Sequence, residues 1–207
     1  NNSLCTNHSG VVVNTFHQLA KSILDKDDNY ELLGYKSLKI LEDEGREKIL
    51  DKIIRFNDLY NKVNEFNKTI KGLLIDFNAR KNNRYIESSN KEYEELFRQL
   101  YHAYVLEVFA NGYVELDDLV NLVIALLERY PEIREEVSLA FDYIFVDEYQ
   151  DVNKEQYKLI KLMKNKNKVL IVGDEDQAIY GWRGSNSKYF RDFQLEYPDC
   201  KVIKLER

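Results

Sequence analysis

Two segments of this 207-residue chain place carboxylates and glutamine directly after an apolar run. The first, Asp147-Glu148-Tyr149-Gln150-Asp151, follows the run 143–146, and the second, 174–177, follows the run 169–172. Both runs are typical of strands that are buried on both faces of a parallel sheet. Because ligands of open α/β sheets bind at the carboxyl ends of the strands, we expect the polar residues of both segments to lie close together.

Carboxylates that meet at the end of a sheet suit a divalent cation and phosphate chemistry. Mg²⁺ prefers oxygen ligands and bridges phosphate groups, so Asp147 and Glu148 predict a magnesium site. A second carboxylate beside the cation orients or deprotonates an attacking water, and the amide of Gln177 can bond both a phosphate oxygen and a water. The alternative is that these acids cap the following helices, which suits Asp151 best because it lies just before a predicted helix.

A turn that follows the second segment contains the only tryptophan of the chain, Trp182, between Gly181 and Arg183. Glycine lets the backbone approach a ligand closely. Aromatic rings stack on unpaired bases and arginine pairs with phosphate, so this turn predicts contact with single-stranded nucleic acid. The alternative is a core tryptophan whose neighbouring arginine forms a surface ion pair.

The elements that must position these residues alternate between strands and helices. Helical spacing predicts helices over 116–127, ended by Pro131, over 153–164 and over 187–195. The segment 201–205 predicts a third strand. The order β-α-β-α-β with short connections predicts an α/β fold whose sheet is parallel and whose crossovers are right-handed.

The first 24 residues are predicted to complete this domain, and the residues that follow them are predicted to form an insertion in it. The β-branched run Val11-Val12-Val13 predicts a strand, which a helix follows. Long apolar periodicities of three and four then predict amphipathic helices, with a polar and basic loop at 78–84. The simplest assembly is one α/β domain formed by 1–24 and 113–207, with an all-helical insertion at 25–112. The alternative is two domains in series.

Four segments of the chain resemble motifs of one enzyme family. Asp147-Glu148-Tyr149-Gln150-Asp151 has the DExQD form of motif II in the UvrD/Rep/PcrA family of superfamily 1 DNA helicases, and 172–185 resembles motif III of that family. Thr15-Phe16-His17 resembles motif Ib, and 205–207 resembles the lead-in to motif IV. The resemblance implies a partial RecA-like P-loop NTPase sheet, called domain 1A, with the helical insertion as subdomain 1B.

The resemblance also implies how the carboxylates and amides would handle MgATP. Asp147 would hold the Mg²⁺, together with Glu148, and Glu148 would be the base that activates the hydrolytic water. Gln177 would sense the γ-phosphate, and Gln150 and Asp174 would belong to the nucleotide-binding residues.

The DNA-binding residues that the resemblance implies lie in motifs Ib and III. Tyr180, Trp182 and Arg183 would face single-stranded DNA, with Trp182 stacked on a base, and Thr15-Phe16-His17 would contact the strand as well. Only a few residues separate the phosphate sensor Gln177 from the stacking ring of Trp182, so a shift of Gln177 on hydrolysis would also move the ring that stacks on the DNA base. The family is implied to translocate 3′ to 5′ on single-stranded DNA, to unwind forked DNA and to take part in DNA repair.

The sequence also departs from the pattern of that family. The phosphate loop G-x-x-x-x-G-K-[ST] is absent from the 207 residues, since lysine follows none of the eight glycines. Motif Ia and a second RecA-like domain with its arginine fingers are missing as well. We therefore expect a fragment of a longer ATP-dependent helicase, which binds ATP through the missing Walker A segment and is inactive alone. The alternatives are a non-catalytic DNA-binding or docking module on a degenerate helicase core, and the helicase part of a helicase–nuclease.

The charge distribution is compatible with DNA binding although the formal net charge is −6. Acidic residues dominate 111–160, whereas basic residues outnumber them in 61–91 and 161–207. The basic stretch that includes Lys71, Arg80, Lys81 and Arg84 is predicted to touch duplex DNA ahead of the fork. The alternative is an ordinary solvated loop.

The composition bounds the class of protein. With 44% hydrophobic and 32% charged residues the chain has enough apolar material for a core, which excludes a disordered protein. Two cysteines are too few for a disulfide scaffold or a zinc site. The longest apolar stretches are too short to span a membrane. We therefore expect a reduced, cytoplasmic protein without a membrane partner.

Overall fold

The computed structural model describes residues 10–82, 84–174, 177 and 188–204. The chain divides into two compact units, which we call the sheet unit, Asn1–Asn29 with Val120–Arg207, and the helical unit, Tyr30–Leu119. The functional domains predicted from the sequence, 1–24 with 113–207 around 25–112, stay a prediction, because a division by contacts does not assign function.

The described residues of the helical unit form four α-helices around an aromatic core. Its helices are α2 (Asp43–Phe56), α3 (Tyr60–Glu65), α4 (Ile70–Lys81) and α5 (Lys91–Ala110). Phe77 of α4 and Phe97 of α5 are almost fully buried, and their ring centroids lie 5.4 Å apart in an edge-to-face arrangement. Asn90 caps α5 by accepting hydrogen bonds from the backbone N–H groups of Glu92 and Tyr93, which fixes where this helix begins.

Two features of the helical unit differ from the sequence-based prediction. The insertion is not all-helical, because β1 (Lys39–Leu41) pairs in parallel with β2 (Tyr113–Glu115). Strands of three residues are too short to produce a recognisable alternation. The loop predicted at 78–84 is also largely wrong, since α4 continues to Lys81. Basic residues favour the last turn of a helix, so this polar composition fits a helix end as well as a loop.

The sheet unit contains the predicted β-α-β arrangement. Its helices are α1 (Phe16–Asp25), α6 (Asp118–Arg129, of which the first two residues belong to the helical unit), α7 (Pro131–Leu139), α8 (Lys154–Met163) and α9 (Lys188–Glu196). Strands β3 (Tyr143–Val146) and β4 (Lys168–Ile171) are joined through α8 and pair in parallel. This confirms the two central strands and the helix between them.

Other predictions for this unit are wrong. Residues 11–13 and 201–204 form no strand, and residue 205 lies outside the described residues. Pro131 does not only end the preceding helix but also begins α7, where its missing N–H costs nothing.

The two strands of the sheet unit are not buried on both faces. Tyr143 and Phe145 of β3 are 58% and 70% exposed, whereas Val146 is buried in a cluster with Tyr149, Val152, Ile160 and Phe193. Alternate residues of a strand point to opposite faces, and only one face of this sheet is packed against described residues.

None of the helices in the described part of the chain has both the length and the apolar composition required to cross a bilayer.

Candidate active site

The ends of β3 and β4 bring the two carboxylate segments side by side. The strands are in register, with Val146 opposite Ile171. Beyond the strands the backbones stay hydrogen-bonded, because the N–H of Val172 donates to the carbonyl of Val146 and the N–H of Tyr149 donates to the carbonyl of Val172, each at 2.9 Å. The segments that begin at Asp147 and at Gly173 therefore leave the same edge of the sheet, as the sequence predicted.

Glu148 leaves this edge in an unusual backbone conformation. Its φ is 50° and its ψ is 43°, the left-handed region that residues other than glycine rarely occupy. Such a conformation persists where the neighbouring structure imposes it, and it is concentrated at functional sites. The side chains of Asp147 and Glu148 are exposed, and an oxygen of Asp147 accepts a hydrogen bond from the N–H of Glu148 at 3.0 Å.

Tyr149 anchors the turn from inside the protein. Its side chain is 1% exposed, and its ring lies 6.0 Å from that of Phe193, edge to face. Burial raises the pKa of its hydroxyl, so the group stays neutral. Tyr149 is also the first residue of a short 3-10 helix, Tyr149–Asp151. The conformation of Glu148 is therefore set between a paired strand and a buried ring.

Gln150 links the two strand ends through its side chain. It is only 2% exposed. Its Nε2 donates to the carboxylate of Glu148 at 2.6 Å, and its Oε1 accepts from the backbone N–H of Asp174 at 3.1 Å. Both polar atoms of the buried amide thus bond to protein groups, and the predicted role of Gln150 in nucleotide binding stays a prediction.

Gln177 is hydrogen-bonded to Asp174, on the β4 side of the site. Its Nε2 donates to the carboxylate of Asp174 at 2.8 Å, and its backbone N–H donates to the carbonyl of Asp174 at 3.1 Å. The predicted residues Glu148, Gln150, Asp174 and Gln177 thus form one hydrogen-bonded chain, with Asp147 next to it. The amide of Gln177 is exposed in this arrangement.

The helix after the first segment is not capped by Asp151. The cap of α8 is Asn153, whose side chain accepts from the N–H of Gln156 while Gln156 accepts from the N–H of Asn153. This reciprocal pair is a capping box. Asp151 lies two residues earlier, in the 3-10 helix, so the capping interpretation of this acid is wrong.

The donor set at the strand ends fits Mg²⁺. Asp147, Glu148 and Asp174 supply exposed carboxylates, and Gln177 supplies an amide, so the available ligands are oxygens, as this cation requires. Among the described residues no group of three or more His, Cys, Asp or Glu side chains converges as a metal cage. A magnesium ion that is bound together with phosphates needs only one or two carboxylates, so the two observations agree.

The residues predicted to contact DNA are described only at the start of α1. Thr15 is the N-cap of this helix, because its hydroxyl accepts from the N–H of Gln18 while the side chain of Gln18 accepts from the N–H of Thr15. Phe16 packs against the apolar cluster around Tyr149, and His17 is half-buried. Tyr180, Trp182 and Arg183 lie outside the described residues.

The basic stretch of the helical unit is mostly paired with acids. Lys81 lies 2.7 Å from Glu115 and 2.5 Å from Asp118. Arg80 lies 3.7 Å from Glu87, and Lys71 lies 3.6 Å from Glu47. Lys81 therefore belongs to an internal cluster, whereas Lys71, Arg80 and Arg84 are exposed, and the predicted contact with duplex DNA stays a prediction.

The polar cluster around Lys81 was not predicted from the sequence. Arg46 of α2 lies 3.0 Å from Glu115, and the hydroxyl of Tyr104 donates to Glu115 at 2.7 Å. Burial raises the pKa of Glu115, but the charge of Lys81 and its hydrogen bond outweigh burial, and the net pKa is lowered. The only sequence signal was the acid-rich stretch 115–118, which does not reveal its partners.

Comparison with known proteins places the chain among helicases. A family model described as the UvrD/REP helicase N-terminal domain matches residues 2–198. The chain is 34% identical over 202 residues to the ATP-dependent DNA helicase PcrA of Leuconostoc citreum. It is 33% identical over 201 residues to the protein of that name in Staphylococcus epidermidis. These alignments cover 94% of this chain but only 26% and 27% of the relatives, so the chain spans about a quarter of their length.

Proposed function

The chain belongs to the UvrD/REP helicase family, and from this membership we propose that it forms part of the motor of an ATP-dependent DNA helicase. The whole protein would couple ATP hydrolysis to 3′ to 5′ movement on single-stranded DNA and to the unwinding of forked DNA. The two units would correspond to a partial RecA-like domain 1A and to the inserted subdomain 1B. We place this activity in the cytoplasm and in DNA repair.

One observation carries the proposal more than any other. Glu148 and Gln177, on the ends of two neighbouring parallel strands, belong to one chain of hydrogen bonds. A base for the attacking water and a donor to the transferred phosphate must both reach the same phosphate group, which their position at one edge of the sheet allows. Asp147 would hold Mg²⁺, Glu148 would accept the proton of the water, and Gln177 would donate to the γ-phosphate. Bound Mg²⁺ would supply neutralisation of the phosphate charge.

The DNA side of the proposal rests on the motifs of the sequence. Trp182 would stack on a base, Tyr180 and Arg183 would lie beside it, and the first turn of α1 would contact the strand. For Thr15 this contact would come in addition to its function as a helix cap.

We propose further that a polypeptide of these 207 residues does not hydrolyse ATP, because it has no G-x-x-x-x-G-K-[ST] loop to cradle the phosphates. The test compares this polypeptide with the longer helicase and measures phosphate release with and without single-stranded DNA. We expect DNA-stimulated hydrolysis in the longer protein only, and its loss in Glu148→Gln. Stimulated hydrolysis by the 207 residues alone, lost in Glu148→Gln, would contradict the proposed inactivity.

The same experiment separates the motor from its alternatives. A longer protein that binds DNA but does not hydrolyse ATP would be the docking module on a degenerate core. DNA cleavage by the longer protein, independent of Glu148, would indicate a helicase–nuclease.

A further inference from the structure

The side chain of Gln150 has hydrogen-bonding partners that only an amide can satisfy together. Its Nε2 faces a carboxylate, which accepts only, and its Oε1 faces a backbone N–H, which donates only. If the amide nitrogen and oxygen were exchanged, the nitrogen would face the N–H of Asp174 and the oxygen would face the carboxylate of Glu148, and neither contact would be a hydrogen bond. A glutamate at this position would keep an acceptor for Asp174 but would lose the donor to Glu148.

Gln150 is itself held firmly, so it can hold other groups. It is only 2% exposed, and it lies in the 3-10 helix that the buried ring of Tyr149 anchors. The N–H of Asp151 donates to the carbonyl of Glu148 at 2.9 Å, which closes this turn around Gln150. The amide therefore presents a fixed donor to the exposed, otherwise rotatable carboxylate of Glu148.

The same amide continues to the loop after β4. Three hydrogen bonds connect Glu148 to Gln150 at 2.6 Å, Gln150 to Asp174 at 3.1 Å and Asp174 to Gln177 at 2.8 Å. Every link in this chain uses at least one side-chain atom. The middle residue of this chain, Gln150, is buried, whereas Glu148, Asp174 and Gln177 are exposed.

We infer that Gln150 is a positioning residue that orients the carboxylate of Glu148 and couples it to the loop that carries Gln177. This inference rests on the proposed function, since it concerns the proposed base and phosphate sensor of that site. Gln150 does not touch the nucleotide, so its loss should affect the chemical step and leave nucleotide binding almost intact. Residues that orient a reacting group typically change activity about 10-fold to 100-fold when they are removed.

The test uses the longer helicase and two substitutions at one position. Gln150→Leu removes both hydrogen bonds at similar volume, and we expect kcat for DNA-stimulated ATP hydrolysis to fall about 10-fold to 100-fold with KM for ATP within about threefold. Gln150→Glu places a second carboxylate beside Glu148. It keeps an acceptor for the N–H of Asp174 but has no donor for Glu148, so kcat should fall as in Gln150→Leu, again with KM for ATP within about threefold.

A purely structural role would lower the stability of the protein and would not lower kcat selectively at an almost unchanged KM for ATP. Hydrogen exchange provides a second measurement, since the N–H of Asp174 should lose protection in Gln150→Leu and keep it in Gln150→Glu. The matched control is Gln156→Leu, which removes the amide of the capping box of α8 and should leave kcat unchanged.

The outcomes distinguish this inference from the function on which it rests. If Glu148→Gln abolishes hydrolysis but Gln150→Leu changes kcat no more than Gln156→Leu does, the positioning role is overturned and the function stands. An unchanged kcat in a folded Gln150→Glu protein would also overturn it. If Glu148→Gln leaves hydrolysis intact, the proposed function itself is overturned.

Discussion

Lys81 and Glu115 are joined by a salt bridge of 2.7 Å although 34 positions separate them in the sequence. The bridge ties the last turn of α4 to the last residue of β2. Glu115 also accepts from Tyr104 and pairs with Arg46, so one carboxylate serves three partners. Its side chain is 12% exposed. Removing such a carboxylate leaves buried positive charge without compensation.

We predict that Glu115→Gln and Asp118→Asn have unequal effects on stability. Glu115→Gln should lower the free energy of unfolding by about 3 kcal/mol, because a buried pair loses one partner. Asp118 differs, since burial raises its pKa and the hydrogen bond and charge of Lys81 do not fully offset this. Its charge is therefore poorly accommodated, and Asp118→Asn should change the free energy by less than about 1 kcal/mol at neutral pH. Urea unfolding of both variants measures the difference.

The two carboxylates should also respond to acid with opposite signs. The lowered pKa of Glu115 means that its stabilisation is present above its unfolded pKa of about 4.3 and is lost as the pH falls through its folded pKa. The raised pKa of Asp118 means that stability is regained as the pH falls through that pKa. The free energy of unfolding should be measured from about pH 7 to about pH 3. The acid-induced loss of stability should be absent in Glu115→Gln, and the acid-induced gain should be absent in Asp118→Asn. The same acid dependence in both variants would contradict this assignment.

Two substitutions of Thr15 separate its function as a helix cap from its predicted contact with DNA. Thr15→Ala should lower the free energy of unfolding by about 1 kcal/mol, because the first turn of α1 loses its side-chain acceptor. Thr15→Asp should keep stability within about 0.5 kcal/mol, since aspartate is a good N-cap. It should still weaken binding to single-stranded DNA if the hydroxyl contacts a phosphate. Thermal unfolding and fluorescence anisotropy measure the two properties. Unchanged DNA affinity in Thr15→Asp would leave Thr15 with its cap function alone.

The strand ends were predictable because their signals are local. Apolar runs mark β3 and β4, and carboxylates follow each run within two residues, so the sequence indicated which side chains meet. The predicted strand at 11–13 is wrong for a related reason. A β-branched run indicates extended backbone, but a strand also needs a hydrogen-bonding partner, which no local pattern reveals.

The sequence could not predict contacts that depend on distant partners. DExQD indicated carboxylate chemistry, yet it did not show that Gln150 faces inward, because this depends on the burial of the neighbouring Tyr149. In the same way, Lys81 belongs to a basic stretch of the sequence but folds against Glu115 and Asp118. The order of charges in the sequence therefore showed that this stretch is basic, but it did not show which acids its residues pair with.

Gln177 should matter for hydrolysis and not for DNA binding without nucleotide. Removing a donor to the transferred phosphate typically costs about 100-fold in kcat, so we expect a loss of this size in Gln177→Ala of the longer helicase. The affinity for single-stranded DNA in the absence of ATP should stay the same. Gln194→Ala, at an exposed position of α9, is the control and should hydrolyse ATP normally. A normal kcat in Gln177→Ala would exclude its role as phosphate sensor.

Lys71 and Arg80 provide the sharpest test of duplex contact by the helical unit. Their side chains are 77% and 39% exposed, whereas Lys81 is committed to its acidic partners. Each lost phosphate contact should reduce the slope of log affinity against log salt by about 0.9, so Lys71→Gln with Arg80→Gln should reduce it by up to about 1.8.

The control for this measurement is Lys48→Gln, which removes a similarly exposed charge from α2. It should leave the slope for duplex DNA unchanged, because nothing in the sequence assigns it to the DNA-binding stretch. Lys81→Gln should instead lower thermal stability, since Glu115 and Asp118 then share a partly buried site without their common cation. If the double variant and Lys48→Gln have the same slope as the unaltered protein, the basic residues of α4 are solvated surface charges and duplex DNA binds elsewhere.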